Sequence, residues 1–517
     1  MLEGLEISEV MLSEVKKENQ SIRIDSQYFK KQFLQFLQKT LDANPLEFFV
    51  KNGYRVVYEN TKIISKEEAI SKDYPYFLQA TDLETPFIKM DNLFYVDQTE
   101  WIRYPKGRVN KGEILIEVKG KIEKVSIVPE DFPEKTLISG SLFKLTTNEK
   151  ISKYVLLCYL LCKYGVAFKE RYKTNLLISY ISKPDLYRMP IPKFSNAFQE
   201  QIDQIFKLIF QSKNQSKLLY TRAENLLLES LGLNEESLDC HEAKASRNDG
   251  VVSSFPNLLA SSLRGVATPR RGNPELQNQQ SDKFSHLSIN QKSFQESFLK
   301  TGRLDAEYYQ PKYEEITNQI KLREYAKLSD LVLIQKSIEP GSEAYLENGL
   351  EFIRVANLNK FSISKSEIFL DEEKYSGTIK PKKDTILLSK DGTVGIAYKV
   401  SEDLNCITSG AILHLTINQT NILPDYLTLV LNSKLVQMQA ERDSGGSIIQ
   451  HWKPSEIMEI LIPILDQPTQ AKISSLIQTS FTLKAKSEKL LETAKKAVEM
   501  AIEDSEERAL EFILMNK

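Results

Sequence analysis

The chain of 517 residues contains the same series of motifs twice, and this repetition constrains its fold more than any other feature. RIDSQYFKKQF (residues 23–33) reappears 280 positions later as RLDAEYYQPKY (303–313). Three further pairs follow in the same order: YFLQATDL (76–83) with EFIRVANL (351–358), KGEILIEVKGKIEKV (111–125) with KDTILLSKDGTVGIA (383–397), and ISGSLFKLT (138–146) with TSGAILHLT (408–416). An ordered repeat indicates a duplicated structural unit, so we expect two domains of one fold.

Each half ends in a predicted long helix with apolar or small residues every seven positions. In the first half two such series interleave, Ile202, Ile209, Ser216 and Ala223 with Ile205, Ser212, Leu219 and Leu226. In the second half the series lie 271 positions later, Ile473, Ser480, Ser487 and Ala494 with Leu476, Leu483, Leu490 and Ala497. One such seam per helix predicts that the two helices pair as an antiparallel coiled coil. The alternative is that each helix packs only on its own domain.

The remaining segments predict an α+β protein. Alternating stretches such as EILIEV and TILLS, followed by glycine turns, are typical of strands and hairpins, whereas residues 153–168 and 424–440 are typical of buried helices. We therefore divide the chain into domain 1 (1–195), central helix 1 (196–233), a linker or insertion (234–300), domain 2 (301–466), and central helix 2 with a tail (467–517). Residues 240–281 have no counterpart in the other half and favour a flexible linker.

Composition excludes several classes of protein. Hydrophobic residues at 41% and charged residues at 27% are ordinary globular values, and a net charge of −2 is unlike that of a histone-like polycation. The sequence predicts neither a membrane span nor a secretory signal, and four cysteines cannot form a disulfide scaffold. We expect a cytoplasmic protein, in which DNA binding would depend on the local placement of Lys and Arg.

Two similar domains on an antiparallel helix pair predict an approximate two-fold axis, as in proteins that place one module on each of two DNA half-sites. A helix of 33 residues, from Gln199 to Leu231, is about 50 Å long and would span roughly 15 base pairs. Because the halves differ in sequence, the half-sites should also differ. The sequence thus predicts an asymmetric, bipartite reader of DNA.

Three segments resemble the specificity (S) subunit of type I restriction-modification systems: RLDAEYYQPKY, TILLSKDGTVGIAYKV, and SGGSIIQHWKPSEIMEILIPI leading into QAKISSLIQ. The resemblance holds twice and covers nearly the whole chain outside 240–281. It implies two target recognition domains in pseudo-two-fold arrangement, joined by two long antiparallel helices, and a non-catalytic subunit. It also implies three partners, namely double-stranded DNA, methyltransferase (M) subunits and, through them, restriction (R) subunits. S-adenosylmethionine, ATP and Mg²⁺ are expected in those partners and not in this chain.

Candidate DNA contacts in the second half lie in a loop, a hairpin and a strand end. The loop segment offers Arg442, Ser444, Gly445, Gly446, Gln450, His451 and Lys453, because glycine lets backbone N–H groups approach phosphate and the others suit phosphates or base edges. The hairpin offers Lys390, Gly392 and Thr393, with a plain tight turn as the alternative. At the strand end, Arg354 and Asn357 suit guanine and adenine, although such residues often only cap a turn. Trp452 is equally suited to be a core anchor.

The first half offers weaker candidates. Gln79 and Asp82 are the equivalents of Arg354 and Asn357. A basic stretch beside Trp101 and Tyr104 contains Arg103, Lys106, Arg108 and Lys111, and predicts either a phosphate track or an exposed charged loop. The counterpart of the SGGSIIQHWKP loop is YKTNLLISYISKP, which lacks the glycines; around it lie Arg171, Lys173, Asn175 and Lys183.

Enzyme signatures are weak. Glu117 and Lys119 form an E-x-K pattern at a strand end, as in metal-dependent nucleases, but they align with Ser389 and Asp391 in the second half. A D/N-P-P-Y/F methyltransferase motif and a GxxxxGK[ST] phosphate loop are both missing from the sequence. Three alternatives stay open: a specificity subunit of a related system with one methylation and cleavage polypeptide, a nuclease using Glu117 and Lys119, and a scaffold that does not touch DNA.

Overall fold

A computed structural model describes residues 8–18, 23–56, 61–64, 66–69, 73–90, 93–174, 177–233, 290–444 and 450–517. The chain forms two compact units, unit 1 (Met1–Lys213 with Lys484–Lys517) and unit 2 (Asn214–Leu483). The predicted insertion at 240–281 lies outside the described residues. Of the helices in the described ranges, none is long and apolar enough to cross a lipid bilayer.

Unit 1 begins with seven short helices and twelve strands. The helices are α1 (Leu12–Glu18), α2 (Lys31–Lys39), α3 (Lys66–Ala69), α4 (Gln98–Arg103), α5 (Lys153–Leu161), α6 (Lys163–Tyr172) and α7 (Lys183–Tyr187), counted over the described ranges. The strands, on the same basis, are β1 (Asn44–Pro45), β2 (Val50–Arg55), β3 (Ile63–Ile64), β4 (Tyr76–Leu78), β5 (Leu83–Glu84), β6 (Phe87–Ile88), β7 (Phe94–Val96), β8 (Ile114–Glu117), β9 (Val125–Ile127), β10 (Thr136–Ile138), β11 (Leu142–Thr147) and β12 (Pro190–Ile191). The long helix α8 (Asn196–Ser230) follows and continues into unit 2.

Unit 2 has its own set of elements. Its described helices are α9 (Phe298–Thr301), α10 (Pro311–Lys321), α11 (Leu328–Leu331), α12 (Pro424–Asn432), α13 (Lys434–Ser444) and α14 (Pro454–Met458). Its described strands are β13 (Tyr325–Lys327), β14 (Val332–Lys336), β15 (Leu350–Ile353), β16 (Leu358–Asn359), β17 (Ser362–Ile363), β18 (Phe369–Leu370), β19 (Ile386–Ser389), β20 (Ala397–Lys399), β21 (Cys406–Thr408), β22 (Ile412–Ile417) and β23 (Leu461–Pro463). The second long helix α15 (Gln467–Glu503) then leads back into unit 1, where α16 (Glu506–Asn516) ends the chain.

The two units share the topology of their main sheet and of the centre of a second sheet, which has four strands in unit 1 and three in unit 2. An antiparallel four-stranded sheet has the order β2-β11-β8-β9 in unit 1 and β14-β22-β19-β20 in unit 2. A second sheet contains the parallel pair β4–β10 in unit 1 and the parallel pair β15–β21 in unit 2. A small hairpin, β5–β6 or β16–β17, and a short antiparallel pair, β1–β12 or β13–β23, complete each set. The predicted duplication is therefore confirmed in the order and pairing of the strands.

The core of each unit lies between the main sheet and a pair of helices. All four residues of β8 and all four of β19 are buried, as expected of short apolar runs inside a sheet. In unit 1 the core includes most of α5 and the first part of α8; in unit 2 it includes most of α12 and the first part of α15. The long helices therefore form part of the core of each domain. They also pair with each other, so both arrangements considered from the sequence occur together.

The long helices pair antiparallel within each unit. In unit 1 the hydroxyl of Ser487 donates to the Ile209 carbonyl oxygen (3.3 Å). In unit 2 the hydroxyls of Ser216 and Ser480 each donate to the other residue's carbonyl oxygen, at 2.8 and 2.7 Å. Small hydroxyl side chains allow the two backbones to approach closely, and their buried polar groups are satisfied across the seam.

The predicted pairing residues fall into two groups. Those that are buried are Ile202, Ile205, Ile209, Ile473 and Leu490; those that are half-buried are Leu219, Leu226, Leu476 and Leu483. All four half-buried residues belong to unit 2.

Candidate DNA interface

The turn of a β-hairpin meets a returning chain segment at the same place in both units. In unit 2 the turn after β19 pairs with residues 450–452: the Gly392 N–H donates to the Gln450 carbonyl (2.9 Å) and the Trp452 N–H donates to the Lys390 carbonyl (2.8 Å). Asp391 and His451 form an antiparallel β-bridge between the turn and the returning segment. Gly392 has φ +75°, a conformation that favours glycine, so the turn depends on this residue type.

Unit 1 repeats this crossing with different residues. The Gly120 N–H donates to the Ser179 carbonyl (3.0 Å), and the Ile181 N–H donates to the Val118 carbonyl (2.9 Å). Lys119 and Tyr180 form the bridge, in the places of Asp391 and His451. Gly120 has φ +109°. The backbone frame of the crossing is thus the same in both units while the side chains on it differ.

The side chains at the crossing of unit 2 are polar and accessible. His451 is 65% exposed, and its Nδ1 lies 2.9 Å from an Asp391 carboxylate oxygen, while Lys390 pairs with the other oxygen of that carboxylate. Thr393 is exposed in the turn, and Gln450 is half-buried. These groups offer hydrogen-bond donors and acceptors at one surface, which is the requirement for reading base edges.

Lys453 and Trp452 have different positions, although they are neighbours. Lys453 precedes α14, is exposed, and lies 3.4 Å from the Glu456 carboxylate. Trp452 is only 1% exposed and belongs to the core of unit 2. The structure therefore decides between the two interpretations of Trp452, which is a core anchor.

The crossing in unit 1 was missed as a contact site by the sequence analysis. Lys119 and Tyr180 are exposed at the positions of Asp391 and His451, yet Lys119 was considered only for a nuclease and Tyr180 not at all. Aligning the segment around Tyr180 on QHWKP, with Ile181 opposite Trp452, was the signal that could have found them. The two loops were recognised as counterparts, but the sequence analysis took only the charged and amide residues around YKTNLLISYISKP as candidates.

A cluster that we call the arginine clamp fixes the chain beside each crossing. In unit 1 it consists of Arg23, Asp25, Tyr28 and Arg171; in unit 2 it consists of Arg303, Asp305, Tyr308 and Arg442. In each clamp, the first three residues belong to the repeated R-x-D-x-x-Y motif. The fourth, an arginine, lies near the end of α6 in unit 1 and of α13 in unit 2.

In the clamp of unit 2, the Arg303 guanidinium forms two bonds to Asp305, at 2.8 and 2.6 Å, and donates to the Asp443 carbonyl (3.0 Å). This guanidinium holds the pKa of Asp305 below its usual value. The Tyr308 ring lies 4.5 Å from Arg303 and 5.2 Å from Arg442. The last turn of α13 is therefore tied to the start of the domain by charge-assisted bonds.

In the clamp of unit 1, the Arg23 guanidinium donates to the carbonyls of Arg171 (3.1 Å) and Lys173 (2.7 Å), so it holds the end of α6. Arg171 is 3% exposed and donates to the Tyr28 carbonyl (3.1 Å). Arg171 and Arg442 were predicted as DNA contacts. Because their guanidinium groups serve the clamp, we do not include them in the function proposed below.

Four other predicted contacts form hydrogen bonds or ion pairs within the protein. The Ser444 side chain is buried, and its hydroxyl donates to the Ala440 carbonyl (2.7 Å). Lys173 pairs with Glu170 at 2.5 Å, and Lys183 donates to the Gly53 carbonyl at 3.4 Å. Gly392 supplies its N–H to the crossing, as described above. The predicted contacts Asn175, Gly445 and Gly446 lie outside the described residues.

The strand-end candidates cap short 3-10 turns. An Asp82 carboxylate oxygen accepts from the Gln79 N–H (2.7 Å), and the Asn357 side-chain oxygen accepts from the Arg354 N–H (3.0 Å). Burial raises the pKa of Asp82. Asp82 and Asn357 therefore serve the backbone, as the alternative interpretation stated, whereas the Arg354 residue is exposed. Gln79 is half-buried.

The basic stretch of unit 1 lies on α4 and the segment after it. Arg103 and Lys106 are exposed, and Lys111 lies 3.9 Å from Glu134, which is itself exposed. The Arg108 guanidinium stacks 4.3 Å from the Trp101 ring and donates to the Trp101 carbonyl (3.0 Å). A stacked arginine next to exposed cations is compatible with both a phosphate track and a charged loop.

Glu117 has a role in the hairpin turn. Its carboxylate accepts from the backbone N–H groups of Glu123 (3.1 Å) and Lys124 (3.3 Å). In unit 2 the Ser389 hydroxyl accepts from the Ile396 N–H (2.9 Å) at the corresponding place. A carboxylate and a hydroxyl thus perform the same structural task, which accounts for Glu117 without nuclease chemistry.

A comparison with protein families matches residues 322–494 to the family described as Type I restriction modification DNA specificity domain. For residues 322–494 this match confirms the resemblance stated from the motifs of the second half. The description of this family, a DNA specificity domain, agrees with the expected role as a specificity subunit.

The chain is also similar to solved structures, of which three are described here. The S subunit of a type I restriction-modification system from M. genitalium is 13% identical, with a TM-score of 0.32, and the match covers 91% of this chain and 95% of that one. A structure reported under the subject of complex assembly and conformational transition of the type I R-M system is 12% identical (TM-score 0.26; 89% and 97% covered). The HsdS subunit from Thermoanaerobacter tengcongensis is 11% identical (TM-score 0.26; 89% and 96% covered). No curated protein matches the chain.

Proposed function

We propose that this chain reads a bipartite, asymmetric sequence in double-stranded DNA and directs methyltransferase subunits to adenines within it. Each domain would read one half-site, and the paired long helices would set the distance between the half-sites. Methyltransferase (M) subunits would dock on the chain, and restriction (R) subunits would join through them. The cofactors of methylation and cleavage would be bound by those partners.

The observation that carries this proposal is the crossing of hairpin and returning segment, which has one backbone frame and two sets of side chains. Lys119 and Tyr180 stand where Asp391 and His451 stand in the other unit. A constant frame with variable exposed side chains is the arrangement expected when the frame fixes position and the side chains select bases. Two different sets favour two different half-sites.

Phosphate contacts are proposed for exposed cations of both units. In unit 1 these are Arg103, Lys106 and Lys111, and in unit 2 they are Arg354 and Lys453. Each cation that neutralises a phosphate releases counterions, so the affinity for duplex DNA should fall as salt rises. Replacing Lys106 by Ala should weaken binding to all sequences alike and reduce the slope of log K against log salt by about 1. A slope that is unchanged for each of these five cations would remove them from the interface.

The test of the function is co-expression with the neighbouring methyltransferase genes, followed by genome-wide mapping of methylated adenines. We expect one motif with two unequal half-sites and a fixed gap, and no methylation when the methyltransferase is expressed alone. The purified chain incubated with DNA and Mg²⁺ is expected to leave DNA intact, whereas cutting without partners would favour a nuclease. Failure to bind duplex DNA in a complex that assembles normally would favour a scaffold.

Altering the length of the helices tests the proposed spacer. Removing one heptad from both α8 and α15 shortens each by about 10 Å. The gap between half-sites should shorten while both half-site sequences stay the same. Altered half-site sequences would contradict the role of the helices as a spacer.

A further inference from the structure

We propose that the small hairpins β5–β6 and β16–β17 are braces that hold each domain at a fixed angle on the long helices. If the proposed function is correct, these braces restrict the gap between half-sites that the protein accepts. The braces are separate from the crossings, which lie at the turn after β8 or β19.

In unit 1 one side of the hairpin is joined to the main sheet. The Ile127 N–H of β9 donates to the Pro86 carbonyl (3.0 Å), and the Val125 N–H donates to the Thr85 hydroxyl (3.3 Å). Leu83 and Ile88 of the hairpin are buried in one cluster with residues of the sheet. The hairpin therefore moves with the domain.

The other side of this hairpin contacts α8. The Phe87 ring lies edge-on to Phe210, with centroids 5.9 Å apart and an interplanar angle of 78°. The Lys213 ammonium stands 3.1 Å from the centre of the Phe87 ring. An edge-to-face pair and a cation over a ring both lose energy when the ring moves away, so they oppose rotation of the domain on the helix.

Unit 2 has the corresponding contact. Phe361, in the turn between β16 and β17, lies between Tyr220 of α8 (5.0 Å, 67°) and Phe481 of α15 (5.9 Å, 57°). Lys360 stands 4.8 Å from the Tyr220 ring and 3.9 Å from the Glu224 carboxylate. On the domain side, Leu358 and Ile363 pack in the cluster that contains Leu387 of the main sheet.

The two braces reach matching helix positions by different routes. Phe210 and Phe481 are 271 positions apart, the same offset as the helical seams. Phe87 begins a strand, however, whereas Phe361 lies in the turn before one. Different hairpin residues thus make equivalent contacts, as expected if the angle between domain and helix is what matters. A general packing role predicts lost stability; a brace predicts lost control of spacing.

The experiment uses the full chain in complex with its methyltransferase and a DNA library in which both half-sites are constant and the gap varies by one or two base pairs. With Phe361→Ala or Phe87→Ala, the preference for the natural gap over neighbouring gaps should fall by about three- to tenfold, the worth of one aromatic pair. The half-site sequences should not change. The control is Leu333→Ala, because Leu333 is 56% exposed on β14. This variant should keep the preference.

Exchanging the charges of Lys360 and Glu224 separates an effect on the accepted gap from an effect of poor folding. Lys360→Glu and Glu224→Lys should each broaden the accepted gaps, and the double variant should narrow them again. Unchanged gap preference in well-folded Phe361→Ala and Phe87→Ala complexes, or a change in half-site sequence, would overturn the brace. If the unaltered complex methylates no bipartite motif, the proposed function fails; if its gap is sharp and the variants keep it sharp, only the brace fails.

Discussion

Both units bury a polar residue at the same position of the main sheet, but each pairs it with a different kind of partner. In unit 1, Lys144 of β11 and Glu113 form a buried ion pair at 2.9 Å, with side chains 9% and 6% exposed. At the matching position of β22, unit 2 has His414, whose Nε2 lies 2.7 Å from the Thr408 hydroxyl. A buried charge requires a partner, whereas a neutral imidazole needs only one hydrogen bond. The comparison teaches that the fold fixes the strand order but allows different polar residues at this interior position, provided that each has its own partner.

The units differ also where the long helices support them. In unit 1 the second heptad series is buried, as Ile205 and Leu490 show, whereas in unit 2 Leu219, Leu226, Leu476 and Leu483 are only half-buried. Truncating a half-buried side chain leaves a smaller cavity than truncating a fully buried one. Substitutions in this series should therefore be tolerated better in unit 2.

The largest expected loss of stability in each unit is at the anchor residue beside the crossing, and the anchors differ between the units. Trp452→Ala should lower the free energy of unfolding by about 4 kcal/mol, because it empties the site of a large buried ring. Ile181→Ala, at the equivalent place in unit 1, should cost about 3 kcal/mol. Urea denaturation followed by far-ultraviolet circular dichroism measures both. A smaller loss for Trp452→Ala than for Ile181→Ala would contradict its assignment as a core anchor.

The buried ion pair is the next test. Lys144→Met should destabilise the protein by about 3 kcal/mol, because it leaves the Glu113 carboxylate buried without its cation. Adding Glu113→Thr should recover much of this loss, since the pair then becomes uncharged as in unit 2. The matched control is Lys111→Met at an exposed pair, expected to change stability by less than about 0.5 kcal/mol. Equal losses for Lys144→Met alone and for the double variant would contradict this account.

The buried His414 should make the stability of unit 2 decrease in acid. Burial lowers the pKa of His414 to about 4, from an ordinary value of 6.5. Because the unfolded chain binds this proton first, the contribution to stability is full above pH 6.5 and is lost as the pH falls toward 4, up to about 3 kcal/mol. His414→Gln should flatten the pH dependence of the urea midpoint in this window. A slope that survives the substitution would assign the dependence to other groups.

The arginine clamps give the smallest and most local effect. Arg303→Lys keeps the charge but loses the forked bonds to Asp305, and should weaken binding to one half-site by about 1.5 kcal/mol, or about tenfold. Arg23→Lys should do the same at the other half-site. Binding to DNA with either half-site scrambled separates the two. If both variants weakened the same half-site, the clamps would not be local to their domains.

Much of the fold could be predicted from the sequence because it rests on periodic patterns. The seven-residue series located α8 and α15, and the matching motifs predicted two domains of one topology. The pattern could not show that each long helix also completes the cores of both units, since a seam and a core stripe contain the same residue types.

The candidate site was predicted less well. Gly392 and the QHWK segment were recognised as candidates, but residue type alone could not show whether a polar group faces solvent or another residue. Arg171 and Arg442 are typical phosphate ligands, yet both stack on tyrosines. Tyr180 was missed because its loop has a different sequence from its counterpart in unit 2.

The sequence by itself determined that the chain is a duplicated α+β protein with two long helices, because repeats and heptads are local patterns that survive without coordinates. Only the tertiary structure decided which polar residues are free to meet a partner and which are used internally. Hydrogen bonds such as that from Arg23 to the Lys173 carbonyl join residues 150 positions apart. The free energy of such contacts depends on distance in space, which a linear pattern does not contain.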